Sequence, residues 1–198
     1  MMTSALAPGF ADPTMQAQTV FRRVLDAMAH PGRVTSLPHD LPAAPAPLDD
    51  ATFALALTLL DFETPTWLDA KLATPDIVES LGFHCGCPIV EQPEAAAFNL
   101  IGDAASLLPF SAFSQGTPEY PDRAATLIIQ TDGLAEDEGW TLTGPGIQHE
   151  ARLRVLGLSK LFTEQVKANR LGFPNGVDMI FTHERRLAGL PRTTSLEV

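Results

Sequence analysis

The chain has 198 residues, 45% of them hydrophobic and 19% charged, a balance that excludes intrinsic disorder and a fibrous repeat and suits one domain over residues 1–198. Its formal net charge of -11 opposes unaided binding to nucleic acid or to an anionic membrane surface. The most apolar stretch, ATFALALTLLDF, is too short to cross a bilayer, and the start lacks the basic flank and apolar core of a signal peptide, so a cytoplasmic protein is expected.

In chain order, Asp12 and Pro13 open a helix in which Ala17, Val20, Phe21, Val24, Leu25 and Met28 recur at helical spacing, until Pro31-Gly32 stops it. RVTSL reads as a short strand and PHDLPAAPAPL as a connector. The run from Asp49 or Asp50 to Phe62 is apolar nearly all round, as in a helix buried on most sides, and TPTWLD follows as a strand. Thr74-Pro75-Asp76 opens a helix that turns Ile77, Val78 and Leu81 inward and ends near Gly82.

Next, CPIV and AAAFNLI suit buried strands, DAASLLPF a short helix, QGTPEYPD a loop and AATLIIQT a central strand. DGLAEDEG reads as an acidic loop, and WTLTGPGI and EARLRVLGL as successive strands, with Arg152 and Arg154 sharing the wet face of the second. Ser159 caps a helix running through Asn169, and VDMIFTH pairs with RLAGLP in a hairpin turning at Glu184-Arg185. The whole is an α/β pattern: a mixed sheet flanked by helices.

Charge is unevenly spread. Residues 1–150 carry 5 Lys and Arg against 20 Asp and Glu, whereas residues 151–198 carry 8 against 4. A basic surface follows if Arg152, Arg154, Lys160, Lys167, Arg170, Arg185, Arg186 and Arg192 cluster; a scatter of solvated charges is the plain alternative.

The motifs that carry chemistry are sparse. Cys85 and Cys87, beside His84, have no second cysteine pair to complete a closed zinc site and lack the two-residue spacing of a dithiol redox motif, so both are read as structural and no metal is expected. There is no phosphate loop, and the Gly144-Pro145-Gly146 turn lacks dinucleotide-binding spacing. His30, His39, His84, His149 and His183 are each read as structural, since none is paired with a carboxylate at a spacing that specifies a base. The sequence LSK at Leu158–Lys160 superficially suits a pyridoxal phosphate lysine, but Lys160 sits at the predicted start of a helix with no phosphate-gripping loop nearby. Arg192 with Thr193 and Thr194 combines a planar cation with two hydroxyls, a set suited to an anion or a partner's carboxylate; Asn175 and Asp178 in the GFPNGVD loop belong near the same edge.

Seven stretches in order, FRRVLDAMAHPG, LLDFETPTWL, LGFHCGCPIV, ATLIIQ, LTGPGI, GFPNGVDMIF and GLPRTTSLEV, resemble the H subunit family of the bacterial carbon-phosphorus lyase core complex. The resemblance spans Phe21 to Val198 and implies the core fold of the pyridoxal-phosphate-dependent transferases without the residues that hold the cofactor. It also implies self-pairing in isolation and assembly with the G, I and J subunits. That assembly helps to form ribose 1-phosphonate 5-triphosphate from ATP and an alkylphosphonate, and the later radical step belongs to the J subunit. No catalytic residue, cofactor or metal on this chain is implied. The expectation for function is therefore a subunit with no catalysis alone, whose face around Arg152, Arg154 and Arg192, with Thr193 and Thr194, meets an anion or an acidic neighbour. The alternatives are a free-standing pyridoxal phosphate transferase using Lys160 and a homodimer that binds a small anion.

Overall fold

The computed structural model describes residues 6–198. The elements are helix α1 (Pro13–Ala29), strand β1 (Thr35–Ser36), helix α2 (Asp50–Leu59), strand β2 (Thr66–Leu68), helix α3 (Pro75–His84), strands β3 (Phe98–Ile101), β4 (Thr126–Gln130), β5 (Gly133–Thr143) and β6 (Ala151–Leu156), helix α4 (Phe162–Leu171), and strands β7 (Asp178–His183), β8 (Arg186–Leu190) and β9 (Ser195–Glu197). Six strands make a mixed sheet in the order β1-β8-β7-β4-β3-β2, with β2, β3, β4 and β7 parallel and β8 antiparallel to β7 and β1. A second, antiparallel sheet runs β6-β5-β9. The expected mixed sheet flanked by helices is present.

Strand β4 shows how both faces are covered. Its side chains alternate, so Ile128 joins Val24, Phe53, Ile77 and Leu81 on the side of α1, α2 and α3, while Leu127 and Ile129 join Phe162, Val166, Leu142 and Leu153 on the side of α4 and the second sheet. On the first side the hydroxyls of Thr52 in α2 and Thr182 in β7 meet at 2.8 Å. Helix α1 lies directly on β8 because residue 189 is glycine: a Cβ there would stand 2.6 Å from the carbonyl oxygen of Ala27.

Local signals place the helix starts. Asp12 accepts from the Met15 amide at 3.1 Å with Pro13 in the first turn, and Thr74 accepts from Ile77 at 3.4 Å. The apolar stripe of α1 is narrower than its sequence suggests: Val20, Val24 and Ala27 are buried, but Phe21 and Leu25 are about half exposed, at 45% and 51%. In α3, Ile77 and Leu81 face inward and Val78 faces out.

Several expectations need correction. CPIV is not a buried strand: Ile89 forms one isolated bridge with Thr66 on the outer edge of β2, and Pro88 and Ile89 are exposed because among the described residues no strand lies beyond them. DAASLLPF forms two separate 3-10 turns, Ala104–Ser106 and Phe110–Ala112, split where Pro109 removes an amide donor. The acidic loop is part of β5, whose ladder with β6 jumps from Ala135 opposite Arg154 to Trp140 opposite Leu153 and pushes Glu136–Gly139 outward as a bulge. Ser159 does not cap α4: its carbonyl accepts the Phe162 amide at 3.1 Å, and Lys160 lies in the turn before the helix. The C-terminal stretch adds a strand not assigned from the sequence, Ser195–Glu197, paired with β5. The β7–β8 hairpin turns at Glu184-Arg185 as expected, with Glu184 at φ 52°.

Candidate functional site

The five residues expected to meet an anion or partner are not gathered into one patch. Arg154 is held by carboxylates of the β5 bulge, Nη2 to Asp137 at 3.2 Å and Nη1 to Glu138 at 3.4 Å. Arg192 is an internal strut. Its Nη2 meets Asp178 Oδ2 at 2.6 Å, its Nε reaches both carboxylate oxygens at 3.1 and 3.2 Å, and its Nη1 donates to the carbonyls of Pro121 at 2.9 Å and Pro174 at 3.3 Å. Thr193 is half-buried, and Thr194 is buried with a hydroxyl that has no partner among the described residues. Arg152 stands apart: it is exposed and has no ion pair among the described residues. Half of the basic quarter is thus paired within the molecule, with Arg185 also held by Asp50 at 2.8 Å and Lys167 by Glu164 at 3.0 Å.

The cysteines lie at the end of α3. Cys87 is buried and Cys85 half-buried, with the Cys85 Sγ 3.6 Å from the Ala56 carbonyl. A hydrogen bond from Cys85 lowers the Cys87 thiol to about 7, and the same bond, with burial, pushes the Cys85 thiol up. His84 does not join them as a ligand; its Nε2 contacts the Ala7 carbonyl at 2.8 Å and its ring meets Phe53 and Phe83 edge-on. Among the described residues no three His, Cys, Asp or Glu side chains converge on a metal-sized site.

Sequence reasoning missed a crevice of about 350 Å³ at the carboxyl ends of β3, β4 and β7, where open α/β sheets commonly take ligands. Asp49, Lys71, Asp103, Asp132 and His183 line it. Lys71 Nζ donates to the Gly102 carbonyl at 2.7 Å, and the ring of His183 is fixed by Nδ1 at 2.8 Å from the Thr131 carbonyl. Burial raises the Asp49 carboxyl, against the pull of the Glu184 amide it accepts. The signal in the sequence was a polar residue at or two positions past the end of each strand, Asp103, Asp132 and His183, legible only once the parallel pairing is known. Lys160 is exposed and outside this crevice, a setting that does not fit a Schiff-base lysine.

A second cleft, of about 320 Å³, joins two of the motif stretches. The turn His30–Arg33 after α1 packs against the loop after β5 so closely that a Cβ on Gly146 would lie 2.1 Å from the Ala29 carbonyl oxygen. One on Gly32 would lie 2.6 Å from the Ala151 Cβ. Both glycines have positive φ, 83° and 96°, so each satisfies conformation and space at once. His30, Arg33, Glu136, Glu150 and Arg152 line the opening.

Fold and site together define an α/β protein with a helix-covered mixed sheet, a small second sheet and two polar crevices. The model of the family described as bacterial phosphonate metabolism protein (PhnH) matches residues 8–197, and the chain belongs to that family. It is 37% identical over 188 residues to the Rhizobium meliloti (strain 1021) protein named alpha-D-ribose 1-methylphosphonate 5-triphosphate synthase subunit PhnH, covering 95% of this chain and 94% of that one. It is 32% identical over 184 residues to the putative C-P lyase subunit protein HtxG of Stutzerimonas stutzeri, covering 91% and 86%.

Proposed function

We propose that the chain is a subunit of a carbon-phosphorus lyase system for alkylphosphonate breakdown. In this reading it supports the formation of ribose 1-phosphonate 5-triphosphate from ATP and phosphonate and has no catalysis of its own. The observation that carries this reading is the likeness along nearly the whole chain to a relative named as a synthase subunit. Charge supports it further: at -11, with half of the basic residues of the last quarter, Arg154, Lys167, Arg185 and Arg192, tied to the chain's own carboxylates, the isolated molecule is a poor host for a triphosphate.

The partners are G, I and J subunits, and the isolated chain pairs with itself. The mixed sheet flanked by helices is a relic of the pyridoxal-phosphate-dependent transferase core without its cofactor. The setting is cytoplasmic; among the described residues no helix is long and apolar enough to cross a membrane.

The test is co-expression of a tagged chain with the G, I and J subunits, together with complementation of a deletion strain for growth on methylphosphonate as sole phosphorus source. Recovery of one four-protein complex and restored growth are expected. Turnover of substrate by the purified chain alone, or growth without it, sinks the reading.

A further inference from the structure

We propose that the cleft between the His30–Arg33 turn and the loop leading into β6 binds a tetrahedral phosphoryl or phosphonyl oxyanion, gripped by the guanidinium groups of Arg33 and Arg152 with the imidazole of His30 beside them. Three observations converge on it.

First, the cations are brought together by the fold and not by the sequence. Arg33 and Arg152 are 119 positions apart, yet the segments that carry them touch: a Cβ on Gly32 would lie 2.6 Å from the Ala151 Cβ and 3.6 Å from the Arg152 carbonyl oxygen. Two glycines that leave no room for a side chain make this close wall, and both arginines line the opening it frames.

Second, neither cation is held in a short ion pair with the chain's own carboxylates. Arg154, Arg185 and Arg192 each hold a carboxylate at 3.2 Å or closer. Arg152 has no ion pair among the described residues, and the carboxylate contact of Arg33, to Asp26, is a long 3.4 Å between two solvent-reached groups. Asp26 also holds His30, with Oδ1 3.0 Å from Nδ1, which orients the ring and leaves Nε2 as its free nitrogen. Guanidinium groups suit this work, because their planar donor pairs match two oxygens of a phosphoryl group.

Third, the lining also carries Glu136 and Glu150, which both keep their negative charge, so binding rests on the two guanidinium groups at close range. Glu136 is spent structurally, with Oε1 accepting the Val34 amide at 2.6 Å, so it braces the wall. Glu150 is exposed at the rim. The space, about 320 Å³, exceeds a single phosphoryl group and leaves room for the body that carries it.

This goes beyond the subunit role, since it concerns a ligand site that the isolated chain carries whether or not it assembles. The test is calorimetric titration of the full chain at low ionic strength with inorganic phosphate, methylphosphonate and ATP in turn. Saturable binding is expected, weakened about tenfold or more by Arg33→Glu and by Arg152→Glu, both exposed positions, and unchanged by Lys167→Glu on α4. Sensitivity to the two variants with phosphate or methylphosphonate identifies the free oxyanion. The same sensitivity with ATP alone identifies the phosphate tail of a nucleotide, and the site stands in either case. Absence of saturable binding with all three, or equal weakening by Lys167→Glu, overturns the proposal. So does a variant Arg152→Glu that blocks copurification with partner subunits while no anion binds. Intact assembly alongside failed anion binding removes only this site, and intact anion binding alongside failed assembly removes only the subunit role.

Discussion

Replacing Arg192 by alanine separates a structural strut from a binding residue. The guanidinium makes three contacts with Asp178 and two with backbone carbonyls, and the two side chains are 12% and 23% exposed. Breaking a fully buried pair costs about 3–5 kcal/mol, because the remaining charge loses its partner. Here the Arg192 amide still donates to Asp178 Oδ1 at 2.8 Å, and water reaches part of the carboxylate, so about 2–3 kcal/mol is expected. For a chain of this size that lowers Tm by about 5–10 °C. Thermal denaturation followed by circular dichroism measures it. A cycle with Asp178→Asn isolates a coupling of about 1–3 kcal/mol between the two side chains. An Arg192→Ala protein that melts within about 1 °C of the parent but no longer binds partners or anions refutes the reasoning and restores Arg192 as a recognition residue.

Three further outcomes follow from particular contacts. Thr182→Val strands the buried Thr52 hydroxyl and costs about 1–2 kcal/mol, Thr52→Val costs less because the Thr182 hydroxyl still reaches the Ile129 carbonyl at 3.4 Å, and the double variant recovers part of the loss; equal additive losses in urea denaturation contradict the pairing. Gly189→Ala forces a methyl group to 2.6 Å from the Ala27 carbonyl and lowers stability by about 2 kcal/mol or more; an unchanged urea midpoint shows that α1 does not lie as close as described. The cysteine pair makes stability depend on pH. Between about 7 and the ordinary thiol value of 9.0 the folded pair has released one proton from Cys87 while the unfolded chain retains both, so stability rises with pH. Above 9.0 the unfolded chain releases both while the folded state keeps the raised Cys85 proton, so stability falls; a Cys85→Ala variant, which has no donor, with the same profile rejects the hydrogen bond as its cause.

How much of this could be read beforehand depends on the range of the signal. The caps at Asp12 and Thr74, the apolar run of β4 and the hairpin at Glu184-Arg185 depend on residues within a few positions of each other, and each appears where its pattern places it. The β5 bulge and β9 were missed because their pairing is set by distant strands: charged Glu136–Glu138 look like a loop until β6 supplies a ladder on either side of them, and Ser195–Glu197 is a strand only against Thr141–Thr143. Phe21 and Leu25 fit the helical period of α1, yet period alone does not tell how wide a stripe the sheet and α2 will cover. The candidate site follows the same rule. Strand alternation placed Arg152 and Arg154 on one face, but what opposes each face is tertiary, and so one arginine is paired and the other free.

The same argument changes the meaning of the uneven charge. Acidic residues before position 150 and basic residues after it looked like a surface prepared for an external anion, but much of the asymmetry closes on itself: Asp50 meets Arg185, and Asp137 and Glu138 meet Arg154. Segregation along the sequence therefore serves partly to tie the β5 bulge to β6 and the start of α2 to the β7–β8 turn. Of the cations not held in a short ion pair, Arg33 and Arg152 line the cleft proposed to take one phosphoryl group. Against a net charge of -11, a triphosphate needs more cations than this pair supplies, and the proposed assembly offers a source for them. A subunit that offers one anchoring point and borrows the rest of its cationic surface is consistent with a molecule that acts only in company.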